Sequence, residues 1–121
     1  MANILVIDDS AMSRKKIKKI LEMNNHVIVG EAQDGDEGLR KYKELSPDLV
    51  TLDITMPNMN GLECLKEILS FNKDAKIIII SSLGKGDTIL DALNNGAFNY
   101  LTKPFDDTLV LDAVTEALDE N

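Results

Sequence analysis

Three carboxylates, a hydroxyl and an ammonium stand out because each follows closely on a short aliphatic run. Asp8-Asp9 follow Ile4-Leu5-Val6-Ile7, Asp53 follows Leu49-Val50-Thr51-Leu52, Ser81-Ser82 follow Ile77 to Ile80, and Lys103-Pro104 lie just beyond Phe98 to Leu101. Carboxylates crowded together repel: unit charges about 4 Å apart cost several kcal/mol at a near-surface dielectric. Either their pKa values rise or a cation sits among them. Hard oxygen donors with no His or Cys nearby suit Mg2+, with Mn2+ as a substitute, held loosely with water in its shell. A half-filled octahedral shell leaves room for phosphate oxygens. Lys103 can pair with Asp53 in the empty state and with a phosphoryl group afterwards. Ser81 offers a hydroxyl at the same place, and backbone N–H groups of the loops can complete a cradle. A carboxylate flanked by a divalent cation and a lysine is a suitable nucleophile for phosphoryl transfer, which depends on positioning and charge neutralisation.

For these residues to meet, the runs must be strands of one sheet that end at one rim. The segments between the runs have helical period. Ser10 or Asp9 can cap a helix carrying Ile17, Ile20 and Leu21, ending near Asn24-Asn25. A second run, Val27-Ile28-Val29, leads to Glu31-Ala32, and Asp34 with Glu37 three residues on starts a helix in the manner of a capping box. That helix stops before Ser46-Pro47. After Asp53 comes a loop with Met56-Pro57 and Asn60-Gly61, then a helix with Leu62, Leu65 and Leu69 on one side. Gly84 and Gly86 loosen the turn after Ser81-Ser82. Ile89, Ala92 and Leu93 mark a helix that Gly96 terminates, and Asp106 caps a last one carrying Val110, Val114, Ala117 and Leu118. The pattern is (βα)5. Its strands read as continuously apolar, as expected when helices cover both faces. Right-handed crossovers then make the sheet parallel and doubly wound, an α/β fold whose functional crevice lies beyond the carboxyl ends of the strands.

Composition narrows the function. The chain has 121 residues with 13 Lys+Arg against 21 Asp+Glu, a net charge of −8. The length suits one domain over residues 1–121, with Asp119-Glu120-Asn121 as a frayed end. An acidic chain is a poor binder of nucleic acid. Cys64 is the single cysteine, so there is no disulfide framework and a reducing, cytoplasmic setting is expected. No aliphatic run approaches the roughly 20 residues of a membrane span, and no signal peptide is evident at the N-terminus.

Asp8-Asp9, Asp53 within Leu-Asp-Ile-Thr-Met-Pro-Asn-Met-Asn-Gly, Ser81-Ser82 and Lys103-Pro104-Phe105 together resemble the receiver domain of two-component response regulators, over essentially the whole chain. The set is most similar to single-domain chemotaxis regulators of the CheY type. The flavodoxin-like strand order 2-1-3-4-5 comes with that resemblance and not from the hydrophobic pattern. The resemblance implies that Asp53 is the phosphoacceptor, taking a phosphoryl group from a histidine kinase. It implies that Asp9, Asp53 and the Thr55 backbone carbonyl ligate the metal, with Asp8 acting mainly through water. It makes Lys103 a contact of the phosphoryl group, Ser81 the switch hydroxyl, and Tyr100 the aromatic that follows it. Thr55 and Ser82 belong to the backbone that cradles the phosphate, Ser82 also being the small residue required beside the switch. Thr55 and Leu83 fall where family members tune phosphoryl lifetime, and Lys103-Pro104 is expected to be cis, a bond type confined essentially to proline. Ser81, where Thr is common, and Ser10 after the acidic pair are slight departures.

The expected role is therefore a stand-alone, monomeric signalling switch whose output is a flagellar motor switch protein or another downstream target, with a phosphatase as a further partner. The same residues also fit the receiver portion of a longer transcription factor, or a phosphorelay intermediate. An aspartyl-nucleophile phosphohydrolase fits less well, because the acid usually found two residues after its nucleophile is here Thr55. A nucleotide- or flavin-binding module lacks G-x-G-x-x-G, a Walker loop and Trp. Remaining features read as ordinary structure. Arg14, Lys15, Lys16, Lys18 and Lys19 form a basic helix face, solvated or used for docking. His26 is structural, Cys64 is inert, and Met12, Met56 and Met59 pack beside the crevice. Leu90 and Leu109 lie off the core stripes.

Overall fold

Side-chain alternation along the central strands divides the core into two layers. The computed structural model describes residues 2–56 and 59–119, so Pro57 of the expected loop and Glu120-Asn121 of the expected frayed end lie outside the described residues. Strands β1 (Asn3–Ile7), β2 (Val27–Ala32), β3 (Leu49–Leu52), β4 (Ile77–Ser81) and β5 (Asn99–Thr102) pair in parallel in the order 2-1-3-4-5. Helices α1 (Ala11–Met23), α2 (Gly35–Leu45), α3 (Gly61–Phe71), α4 (Gly86–Asn94) and α5 (Asp107–Asp119) follow them in turn. Successive strand residues point to opposite faces. Leu5, Ile7, Val50, Leu52, Ile77 and Ile79 thus meet Tyr42, Leu65, Ile68 and Ala92 of α2, α3 and α4. Ile4, Val6, Leu49, Ile78 and Ile80 meet Ile17, Leu21, Val110 and Val114 of α1 and α5. The chain therefore has the doubly wound, flavodoxin-like architecture expected from its pattern and its resemblance. Among the described residues, no helix is long and apolar enough to cross a membrane.

Continuous burial holds for β3 and β4 and for all of β1 beyond Asn3, whereas the edge strands β2 and β5 are largely half-buried. An edge strand has a neighbour on one side only, so it tolerates Glu31 in β2 and Asn99 in β5. Two helices differ in detail from their expected stripes. In α3, Cys64, Leu65 and Ile68 fill the centre while Leu62 and Leu69 sit at its margin. In α4, Ala92 is the buried residue, Leu93 is 40% exposed, and Gly86 begins the helix instead of loosening the turn before it.

Caps keep the rim loops short. Ser10 accepts from the Ser13 N–H, Asp34 from Glu37, Asn60 from Glu63 and Asp106 from Thr108. The Glu37 side chain reaches back to the Gln33 N–H at 2.8 Å, one residue beyond the expected Asp34, and so closes the box on the preceding residue. Gly96 ends α4 in the left-handed region at φ 105°, and Lys103-Pro104 is cis. Gly61 matters most to the site. A Cβ there would lie 2.1 Å from the Asp53 carbonyl oxygen and 2.4 Å from Ile54 Cα, both backbone. Gly61→Ala is therefore expected to destabilise the fold by about 2–3 kcal/mol, in the range of overpacking costs. Urea unfolding measures this, and unchanged stability would show that the backbone behind Asp53 yields freely.

Candidate functional site

Asp8, Asp53 and Lys103 each stand one place beyond a strand, and the neighbouring strand holds them there. The Asp53 N–H donates to the Ile7 carbonyl at 2.9 Å, the Asp8 N–H to Ala32 at 2.9 Å, and the Lys103 N–H to Ser81 at 2.8 Å. The end of the sheet is in effect a comb whose last hydrogen bonds carry functional side chains. The three acids converge, with one carboxylate oxygen each from Asp8, Asp9 and Asp53 all within 4.8 Å of one another. Lys103 Nζ bridges two of them, 2.8 Å from Asp8 Oδ2 and 3.0 Å from Asp53 Oδ2.

Burial sorts the acids. Asp8 is 1% exposed and Asp53 4% exposed, whereas Asp9 is open to solvent. Asp8 Oδ1 accepts the Ser10 N–H at 2.9 Å, and Asp53 Oδ1 accepts both the Thr55 N–H and the Thr55 hydroxyl at 3.0 Å. Burial raises the Asp8 carboxyl above its ordinary value. Bonds from Lys103 and Ser10 oppose that rise and the charge of Asp53 adds to it. Burial alone lowers the Lys103 ammonium, but its bonds to Asp8 and Asp53 outweigh this and leave it raised. The donor set fits a hard divalent cation: three carboxylates without nitrogen or sulfur, one of them facing water that can fill the remaining positions.

The other expected site residues collect at the same rim. Ser81 is fully buried, and its Oγ accepts the Leu83 N–H at 3.2 Å. The Tyr100 hydroxyl donates to the Leu83 carbonyl, and burial raises its phenol pKa. Ser82 is exposed just past β4. A cavity of about 590 Å³ opens beside Asp9, lined by Thr55, Asn60, Leu83 and Thr88 among others. Sequence reasoning missed three contacts here: the Thr55 hydroxyl on Asp53, the shared use of the Leu83 peptide by Ser81 and Tyr100, and a bond from Arg14 to the Asp8 carbonyl. Only the last has a sequence signal, an arginine in the first turn of α1, where a helix usually favours acids.

The features read as ordinary structure are placed as follows. The Cys64 thiol is buried and pushed up to about 12, chiefly by that burial. His26 Nδ1 accepts the Ala2 N–H at 3.2 Å. Met56 and Met59 pack into the core, whereas Met12 is 82% exposed, against the expected packing. Arg14 and Lys18 are drawn from the basic face into ion pairs with Glu31.

The raised Asp8 pKa fixes a sign. A carboxyl whose folded pKa exceeds its ordinary value of 3.8 contributes fully below that pH, and its ionisation costs stability as pH rises. Asp8→Asn removes this cost while Asp53 still neutralises Lys103. In buffer free of divalent cations, it is expected to unfold at a higher temperature than the unsubstituted chain at neutral pH. The gain should shrink to nothing toward pH 3.8. Thermal unfolding by circular dichroism across this range checks it, and a lower midpoint at neutral pH would mean that the Lys103 bond outweighs burial.

Comparison with known proteins bears on this geometry. The profile of the response regulator receiver domain matches residues 4–115. Chemotaxis protein CheY of Bacillus subtilis is 45% identical over 115 residues, 95% of this chain and 96% of that protein. Protein CcdB of the same organism is 43% identical over 118 residues, 98% of each. Among solved structures, a chain from the CheX–CheY–BeF3–Mg2+ complex of Borrelia burgdorferi matches with a TM-score of 0.92 and 41% identity, over 94% of this chain and 87% of that one. With a profile match spanning all five strands and relatives of this identity over nearly its full length, the chain belongs to the response regulator receiver domain family.

Proposed function

We propose that the chain is a phosphoacceptor switch in which Asp53 takes a phosphoryl group from a histidine kinase in a Mg2+-dependent reaction. The observation that carries this is the Lys103 ammonium set between the buried carboxylates of Asp8 and Asp53, with Asp9 completing the acidic triad. Asp9, Asp53 and the Thr55 carbonyl are the direct metal ligands in this reading, with Asp8 acting through water, and Mn2+ can substitute. The cation, when bound, neutralises charge on the acids and on the incoming phosphoryl oxygens.

The chain's own residues do the rest. An Asp53 carboxylate oxygen attacks phosphorus while the bond from phosphorus to the donor breaks, so the acyl phosphate forms as the donor group leaves. Lys103 gives up its contact with Asp53 and takes one with the phosphoryl oxygens, a short movement for a point charge on a flexible stem. The Thr55 and Ser82 backbone completes the cradle. Ser81 turns from the Leu83 N–H toward the new oxygens, and Tyr100 responds because it holds the carbonyl of that same residue. The phosphorylated form is then a shifted population with a changed surface on α4, β5 and α5.

Relatives named as chemotaxis proteins, 45% and 41% identical, support a chemotaxis-type output. Its target is a flagellar motor switch protein, and a phosphatase ends the signal. Residues 1–121 act as one receiver domain, monomeric and in the cytoplasm. Incubation with Mg2+ and a small-molecule phosphodonor is expected to leave one acid-labile phosphoryl group per chain, lost slowly. Chelating the metal or substituting Asp53→Asn should abolish labelling with the fold intact. Lys103→Arg should still be labelled but respond weakly, since a planar fork does not replace an ammonium. Rapid turnover of donor with little retained label would instead indicate a hydrolase, and metal-independent labelling at the full rate would refute the acidic-pocket reading.

A further inference from the structure

We infer that Arg14 is a positioning residue for the acidic pocket: by holding the Asp8 carbonyl it closes the turn between β1 and α1 and sets the direction of the Asp9 carboxylate. This rests on the reading that the three acids hold a divalent cation. Arg14 sits in the first turn of α1, where the positive end of the helix dipole disfavours a cation, so its place there has to be justified by specific bonds. Its Nη1 donates to the Asp8 carbonyl at 2.6 Å, and its Nε donates to Glu31 Oε1 at 3.1 Å. The side chain is only 13% exposed, so these bonds are shielded from competing water.

The Asp8 carbonyl is the group the sheet leaves over. Its N–H is taken by Ala32, and its carboxylate by Ser10 and Lys103, which fix the residue up to its Cα. The next peptide plane, from which the Asp9 side chain projects, is not held by those bonds. Arg14 holds it from the far side of the turn, while its own N–H donates to the Ser10 carbonyl at 2.9 Å and ties it to the helix start. Asp9, the exposed acid, thus stands at the tip of a turn clamped across its base. Glu31 is shared with Lys18 and does not offset the guanidinium charge in full. Removing a positive charge would by itself favour a cation among the acids, so a loss of Mg2+ affinity on removing Arg14 reports the geometric effect.

Groups that orient metal ligands from behind typically change affinity 10–100-fold when lost. Arg14→Met keeps an apolar stem and helix propensity but removes every donor. It is expected to weaken Mg2+ binding by calorimetric titration by about tenfold or more, with a far-UV spectrum like that of the unsubstituted chain. Arg14→Lys, with a point charge that cannot serve Asp8 and Glu31 in fork geometry, should fall between the two. A merely structural role would lower the unfolding temperature and leave the Mg2+ affinity of the folded protein unchanged. Affinity within about twofold of the unsubstituted chain in Arg14→Met overturns the inference; if that variant does not fold, unchanged affinity in Arg14→Lys overturns it. Absence of Mg2+ binding by the unsubstituted chain defeats the proposed function, and this inference with it, whereas normal binding there and in both variants defeats this inference alone.

Discussion

Two buried carboxylates and an ammonium that joins them set the terms for everything else at this end of the sheet. Asp8 and Asp53 are withdrawn from water almost completely, a placement that carbon-rich surroundings oppose and that their mutual repulsion makes worse. Lys103, 95 residues from Asp8 and 50 from Asp53 in sequence, relieves one charge of the excess. With Asp9 included, three negative charges face one positive, so the pocket remains electrostatically unfinished. A site with surplus negative charge and hard oxygen donors is one that a divalent cation completes, which is why the acidic cluster and the lysine belong to a single explanation.

The sheet makes this arrangement affordable by rigidity. Asp53 follows β3, which is buried on both faces between β1 and β4, and Gly61 backs onto its carbonyl with no room for a Cβ. Asp8 and Lys103 are pinned by the terminal carbonyls of β2 and β4. The positions of the charges are thus determined by backbone hydrogen bonds and packed aliphatic side chains, and small adjustments in the charged groups do not propagate into the core. Well-packed interiors resist continuous deformation, so a change at such a site is passed on by elements that have alternative partners.

How far the sequence foretold this depends on whether a feature belongs to residue type or to direction in space. The five strands and the five residues at their ends were legible because an aliphatic run followed by a polar residue marks both the strand and its exit to the rim. The caps at Ser10, Asp34 and Asp106 follow from local chemistry in the same way, whereas the sequence marks Asn60 only as part of a loop and its cap is visible only in the structure. The half-burial of β2 and β5 was not legible in the hydrophobic pattern; only the strand order that came with the resemblance makes those two runs edges. In α4, Leu90 lies off the core stripe in sequence and is exposed, but Ile89, Ala92 and Leu93 share one stripe, and only packing reveals that Ala92 faces inward while Leu93 does not. The bonds of Arg14 to Asp8 and of Thr55 to Asp53 depend on where a carbonyl points and which rotamer is taken, which no spacing records.

The route by which a phosphoryl group at Asp53 would be read elsewhere follows from the same contrast between centre and edge. Ser81 closes β4, next to β3, and is fully buried; Tyr100 lies on β5, which has a strand neighbour on one side only and is half-buried for most of its length. Between them the Leu83 residue is held by its N–H on one side and its carbonyl on the other. Drawing Ser81 toward Asp53 would remove the acceptor from the Leu83 N–H, and a shift of the Leu83 backbone in response would disturb the carbonyl that Tyr100 holds on the other side of the same Cα. In the proposed switch the rigid centre would fix where the charge arrives, and the less constrained edge would supply the element with two arrangements. A coupling of this kind needs differential contact in each state and no long chain of intermediates, because one residue's two backbone groups span the distance.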